Sequence, residues 1–189
     1  MSVKNKLVDF SRAGFILEPR YYFYGWSKTP VIKAQAKLAT ALKRGRTLLP
    51  RGYNFKIWDC QRPLSVQIAM LASFRKRIAL LYPHATVTER KKILYSYGAK
   101  PLKRVTRPDT HRNGGAIDLT IVDRAGHELY MGTDHDDLTD RAATNYFAAK
   151  KKLSALDREA LKNRALLIRV LTKAGLENYS REWWHWYIK

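Results

Sequence analysis

Residues 110–122 read Thr-His-Arg-Asn-Gly-Gly-Ala-Ile-Asp-Leu-Thr-Ile-Val, and the stretch changes character at its paired glycines. From Gly115 to Val122 the residues are mostly apolar and β-branched, the composition of a buried strand. Before them, residues 99–114 carry Pro101 and Pro108 and no apolar period, so this segment is expected to be loop. Gly114 and Gly115 join the two and let the backbone turn tightly, so that a loop histidine, His111, and a strand carboxylate, Asp118, can converge on one point. Ile117 and Leu119 flank Asp118, which therefore points to the opposite face, where a carboxylate needs a partner or a metal.

The rest of the chain supplies elements for that strand to join. Residues 31–44 place apolar side chains at helical spacing and run into Gly45, which predicts a helix ending there. After a turn at Pro50-Arg51-Gly52, residues 53–60 alternate as a strand does, with Phe55, Ile57 and Asp59 towards one side. Pro63 opens a second helix to about Tyr82, stopped by Pro83, and Thr86 with Glu89 forms a capping-box pattern for a short helix to about Tyr97. Downstream, residues 123–132 read as a turn at Ala125-Gly126 and a short returning strand. A long helix from Asp157 to Ala174 is closed by Gly175, and the aromatic ending, residues 181–189, suits a central strand. The expected fold is α+β, a small and mainly antiparallel sheet flanked by helices, in one domain covering residues 1–189.

Composition narrows the chemistry. With 189 residues, 46% of them hydrophobic, the chain can bury a core as one domain. Cys60 is the single cysteine, which excludes a disulfide framework and a cysteine zinc finger, so any zinc site must use histidines and carboxylates. Residues 1–15 lack the apolar run of a signal peptide, and no stretch of about 18 apolar residues is present; a cytoplasmic location is expected, with periplasmic and extracellular ones open. The net charge of +20 is unevenly placed: residues 1–108 hold 23 basic and 4 acidic side chains, residues 109–189 hold 13 and 12. Such a half can lie against an anionic cell-wall polymer, nucleic acid or membrane surface, or serve solubility alone.

Five histidines are available: His84, His111, His127, His135 and His185. His127-Glu128 would begin an HExxH helix, but position 131 is Met, so that motif is absent. Besides the pair His111 and Asp118, residues 182–185 read Glu-Trp-Trp-His. On a straight strand Glu182 and His185 would face opposite ways, so a turn or bulge at the tryptophans is required if both serve one site. Arg62 closes the strand of residues 53–60 just before a helix, where an Arg can steady an oxyanion. Each residue also has a plainer reading: Asp118 paired with an Arg, His185 hydrogen-bonded in an aromatic core, Arg62 in a surface ion pair with Asp59.

Taken together, Trp58-Asp59-Cys60-Gln61-Arg62-Pro63, the stretch 110–120, residues 130–137 (Tyr-Met-Gly-Thr-Asp-His-Asp-Asp) and residues 182–187 (Glu-Trp-Trp-His-Trp-Tyr) resemble, in order and spacing, the VanX-type D-alanyl-D-alanine dipeptidases of peptidase family M15. The resemblance runs from about Tyr21 to Tyr187. It implies a zinc metallopeptidase with one Zn2+ per chain held by His111, Asp118 and His185, Glu182 as general base, and Arg62 assisting the transition state. It further implies Asp136 as partner of the substrate amine and Tyr21 as a substrate contact. Asp109 stands where the family usually has a substrate-binding Ser, and His135 where it often has Phe.

The expected activity is hydrolysis of D-alanyl-D-alanine or a closely related D-amino-acid dipeptide. The alternative is a carboxypeptidase or endopeptidase on peptidoglycan stems, in which residues 1–108 would hold an anionic wall polymer. A more distant one is a nucleic-acid-binding protein with a structural metal, against which stands the absence of any helix-turn-helix, RNA-recognition or zinc-finger pattern.

Overall fold

A computed structural model describes residues 6–189. In chain order the elements are β1 (Leu7–Asp9), β2 (Ile16–Leu17), the helical turn α1 (Arg20–Phe23), β3 (Lys33–Gln35), α2 (Ala36–Thr47), β4 (Asn54–Asp59) and α3 (Leu64–Leu81). They continue with α4 (Val87–Tyr97), β5 (Ala116–Val122), α5 (Ala155–Lys173), β6 (Leu176–Asn178) and β7 (His185–Ile188). The architecture is α+β, as expected. Five strands form the main sheet in the order β2-β4-β5-β7-β6, antiparallel except for the β2 and β4 pair. Strands β1 and β3 form a separate antiparallel pair.

Strand β5 is the centre of the sheet, and all seven of its residues are buried. The C-terminal strand β7 lies one place over, between β5 and β6, so it is interior rather than central. In β4, Phe55 and Ile57 enter the main core. A register shift between Ile57 and Asp59 then breaks the expected alternation, and Asp59 comes to lie beside Asp118.

The helix expected over residues 31–44 begins at Ala36 and runs on to Thr47. Ile32 and Ala34 are buried while Val31 and Lys33 are exposed, a period of two that belongs to β3. Gly45 lies inside α2, where its missing side chain admits Ala174 and Phe55: an added Cβ would stand 3.3 and 3.4 Å from them. Helices α3 and α4 keep their expected bounds within a residue. The capping box of α4 is formed in both directions, Glu89 N–H donating to Thr86 Oγ1 and Thr86 N–H to Glu89 Oε2. Helix α5 starts two residues before Asp157 because Ser154 caps it, and Gly175 follows it in a left-handed conformation, φ +84°. The returning strand expected in residues 123–132 shrinks to a single bridge between Val122 and Glu128 beyond the turn at Gly126.

The main core packs α2 and α5 against the sheet through Leu38, Leu42, Leu119, Ile121, Leu167 and Leu171. A second, smaller core joins α3 and α4 through Met70, Phe74 and Leu94, with Tyr21 and Leu138. Arg62 touches this second core at Met70, and from there its guanidinium reaches the polar ends of β4 and β5.

Candidate active site

His111 sits in a single turn closed by Gly114, whose φ of +73° suits glycine. Gly115 follows so close to the loop that a Cβ there would lie 1.9 Å from the Pro108 carbonyl oxygen. The paired glycines therefore do what the spacing suggested. His111 donates Nδ1–H to the Cys60 carbonyl oxygen at 2.7 Å, with Asp59 Oδ2 at 3.1 Å, so that Nε2 carries the lone pair once the ring is neutral. That nitrogen lies 3.2 Å from Asp118 Oδ1 and 3.0 Å from His185 Nδ1.

Asp118 and His185 are register partners across β5 and β7, and His185 Nδ1 is 3.1 Å from the same Asp118 Oδ1. Just before β7, Glu182 donates its N–H to the Tyr179 oxygen and accepts from His185 N–H. This is the turn that the Glu-Trp-Trp-His spacing demanded. It brings Glu182 Oε2 to 3.9 Å from His185 Nδ1, and Asn178 Nδ2 secures it by donating to the carbonyls of Glu182 and His185.

Arg62 does pair with Asp59, Nε to Oδ2 at 2.8 Å, but the pair is buried, and Nη2 also donates to Asp118 Oδ2 at 3.0 Å. Asp136 adopts a left-handed backbone, φ +60°, a strained state for a residue other than glycine, and accepts from Tyr21 O–H at 3.1 Å. Its loop is tied to α5: buried Arg164 donates to the carbonyls of Met131, Arg141 and Ala143. A cavity of about 370 Å³ opens over the cluster and is lined by Arg62, Asp109, His111, Asp118, Asp136, Glu182 and His185. Tyr21 stands behind Asp136 rather than on the lining. Asp109 is held by Arg107, with Nη2 2.5 Å from Oδ2.

Burial pushes the Glu182 carboxyl well above the usual carboxylate range, and the charges of Asp118 and Asp136 add to it. Burial also opposes charge on Asp118, but His111 and the hydrogen bonds from the three histidines outweigh it and hold this carboxyl well below its ordinary value. For His111, burial disfavours the cation, yet the Asp118 charge prevails and lifts the ring to about 9. Burial lowers His185.

Two imidazole nitrogens and one carboxylate oxygen thus converge, all within 4.8 Å of one another. The second nitrogen of His111 is already satisfied. This donor set, two imidazoles and a carboxylate, would fit a divalent ion of the zinc type.

Residues 28–189 match the family described as D-ala-D-ala dipeptidase, peptidase M15. The chain belongs to this family. It is 28% identical over 144 residues to a D-alanyl-D-alanine dipeptidase of Synechocystis sp., covering 70% of this chain and 58% of that protein. It is 35% identical over 81 residues to the D-alanyl-D-alanine dipeptidase of Escherichia coli K12, covering 43% and 38%. To that of Enterococcus faecium it is 28% identical over 160 residues, covering 81% and 71%. The chain thus spans less than two thirds of the length of the first two relatives.

Of the residues expected to matter in this M15 chain, the structure brings His111, Asp118, His185, Glu182, Arg62, Asp136 and Asp109 to one cavity. Sequence reasoning saw Asp59 only as a partner of Arg62 and missed its contact with His111, and it assigned no role to Asn178 in the Glu182 turn or to His135, buried against Asp118 with Nε2 3.3 Å from Oδ2. The signal for Asp59 was present, three residues before Arg62 in the strand. For Asn178 no pattern marked it.

Proposed function

We propose that residues 1–189 form a zinc metallopeptidase domain that hydrolyses D-alanyl-D-alanine or a closely related D-amino-acid dipeptide. The observation that carries this reading is the convergence of His111, Asp118 and His185 beside the buried carboxylate of Glu182 on the wall of one cavity. His111 Nε2, Asp118 Oδ1 and His185 Nδ1 hold one zinc ion per chain. When bound, zinc supplies Lewis acidity, polarising a carbonyl and making water acidic near neutral pH.

The chain's own groups do the rest. Glu182, once ionised, accepts a proton from the attacking water and passes it to the leaving amine. Arg62 has five N–H bonds, and those to Asp59, Gln67, Met70 and Asp118 occupy four. The remaining Nη2 hydrogen is free to meet the oxyanion as it develops. Asp136, oriented by Tyr21, takes the substrate ammonium. Asp109 contributes little net charge, because Arg107 compensates it, and the two together line the approach to His111. The cavity draws on both halves of the chain, so the basic excess of residues 1–108 lends the wall-polymer partner no support from the site itself. Among the described residues no helix is long and apolar enough to cross a membrane.

The test is hydrolysis of D-Ala-D-Ala beside L-Ala-L-Ala and a stem pentapeptide, by wild type and Glu182→Gln, with and without added zinc. The expected result is zinc-dependent cleavage of the free D,D-dipeptide alone, falling by about 10²- to 10⁴-fold in the variant. Cleavage of the pentapeptide alone transfers the reading to a stem carboxypeptidase; cleavage that persists in chelator overturns it.

A further inference from the structure

His135 is the one buried histidine of the site left without a role. Its side chain is fully enclosed, with the Trp58 ring tilted against it at 4.8 Å between ring centroids and Trp184 and Tyr21 also in contact. Nδ1 has no hydrogen-bond partner among the described residues, while Nε2 faces two carboxylates: Asp118 Oδ2 at 3.3 Å and Asp136 Oδ1 at 3.5 Å. A carboxylate can only accept, so the proton of a neutral ring belongs on Nε2, and the lone pair of Nδ1 is the group left bare. Leaving a bare acceptor costs less than leaving a bare N–H, which settles the tautomer.

The two oxygens of Asp118 are then treated differently. Oδ2 receives two donors, Arg62 Nη2 and His135 Nε2, whereas Oδ1 is the oxygen near His111 Nε2 and His185 Nδ1. The Arg62 cation at 3.0 Å from Oδ2 also excludes a second metal ion on that side. We propose, building on the metal site above, that His135 is a positioning residue: its Nε2–H locks the Asp118 carboxylate so that Oδ1 is presented to the metal. The same ring links the metal's carboxylate ligand to Asp136, the carboxylate assigned to the substrate amine. Partners of this kind outside the ligand set commonly change metal affinity by about 10- to 100-fold.

Zinc affinity measured by competition against a chromophoric chelator tests this directly, using wild type, His135→Phe and His135→Gln. Phe keeps the ring packing and deletes the N–H; Gln restores an N–H near the Nε2 position. The expected result is a loss of about 10- to 100-fold in affinity for the Phe variant and recovery of most of it in the Gln variant, with the metal-free proteins melting alike. Wild-type affinity in the Phe variant overturns the proposal and leaves the metal site standing. Equal losses in both variants overturn it too, because packing rather than the N–H would then be responsible. If wild type takes up no zinc, the metal site itself falls and the proposal with it.

Discussion

Gly115→Ala changes no group that touches substrate, yet it should damage both stability and turnover. The added Cβ would meet the Pro108 carbonyl oxygen at 1.9 Å, its carbon at 2.8 Å and Asp109 Cα at 3.0 Å. These are backbone atoms, so the loop must retreat by more than 1 Å, from 1.9 to at least 3.0 Å at the oxygen. Pro108 O accepts from the buried Gln35 Nε2 at 2.8 Å, and as the loop moves that bond is lost, leaving the amide only its bond to the Asn113 oxygen at 3.0 Å. Overpacking costs roughly 1–3 kcal/mol and a buried amide hydrogen left unpaired roughly 1–3 more, so about 2–6 kcal/mol is expected in all. Asp109 and His111 ride on the same loop, and a displacement of this size costs about 10²-fold in rate. Urea unfolding of the metal-free protein reads the first quantity, and kcat/KM on the dipeptide reads the second. Gly126→Ala is the control, since Gly126 has φ +88° and nothing within 4 Å, so its cost is conformational only, about 1–2 kcal/mol, with activity kept. A Gly115→Ala protein within about 0.5 kcal/mol of wild type and fully active would refute the reasoning, because the overpacking it rests on would be absent.

Arg164→Leu should cost about 3 kcal/mol, since the buried Met131 carbonyl and the half-buried ones of Arg141 and Ala143 lose a charged donor, and should raise KM by loosening the loop of Asp136; an unchanged KM would separate that loop from substrate binding. Ser154→Ala should remove about 1 kcal/mol by uncapping α5. The bond from Lys150, then that from the Ser154 amide, hold the Asp157 carboxyl down from 3.8 to about 2. A depressed carboxyl stabilises fully above its ordinary value and loses that contribution as pH falls to about 2, so an acid melting series should be less steep in Asp157→Asn than in wild type. Chelation should lower Tm, because zinc at about a thousand times its Kd stabilises by roughly 4 kcal/mol; superimposable melts would remove the metal from the site.

The helices and the central strand were legible because their signals are local: a capping box for α4, a glycine stop after α5, an unbroken apolar run in β5. The errors arose where one signal served two purposes. Ile32 and Ala34 fit both a helical and a strand period, and only pairing with β1 decides between them. Gly45 resembles a helix stop but answers to the bulk of Phe55. In the site, His111, Asp118, Glu182 and His185 could be named because motif spacing is sequential. The spacing of Asp59 and Arg62 marks their pairing, but the contact of Asp59 with His111, and what Asn178 and His135 do, are set by contacts across β4, β7 and the loop before α5, which no spacing encodes. The bulge that frees Asp59 and the left-handed backbone of Asp136 are likewise products of packing.

The charge of the site bears on which substrate it suits. Asp59, Asp118, Asp136 and Glu182 are buried together with a single guanidinium, Arg62. Without other cations this leaves a large negative excess in a region of low dielectric, which the elevation of Glu182 and His111 registers. A bound dication removes most of that excess, and one further positive charge balances it. A free dipeptide carries an ammonium next to its scissile bond, whereas a stem peptide has a neutral amide in the corresponding place. On the proposed reading, this charge balance predicts a preference for the free dipeptide over the stem. N-acetyl-D-Ala-D-Ala should accordingly be a poor substrate, since a buried carboxylate left without its cation costs about 3–5 kcal/mol, or roughly 10²- to 10⁴-fold in kcat/KM. Asp136→Asn should erase that preference while leaving slow hydrolysis of both peptides. Equal rates on the acetylated and free dipeptides by wild type would mean that Asp136 is balanced from within the protein, and that the ammonium plays no part in recognition.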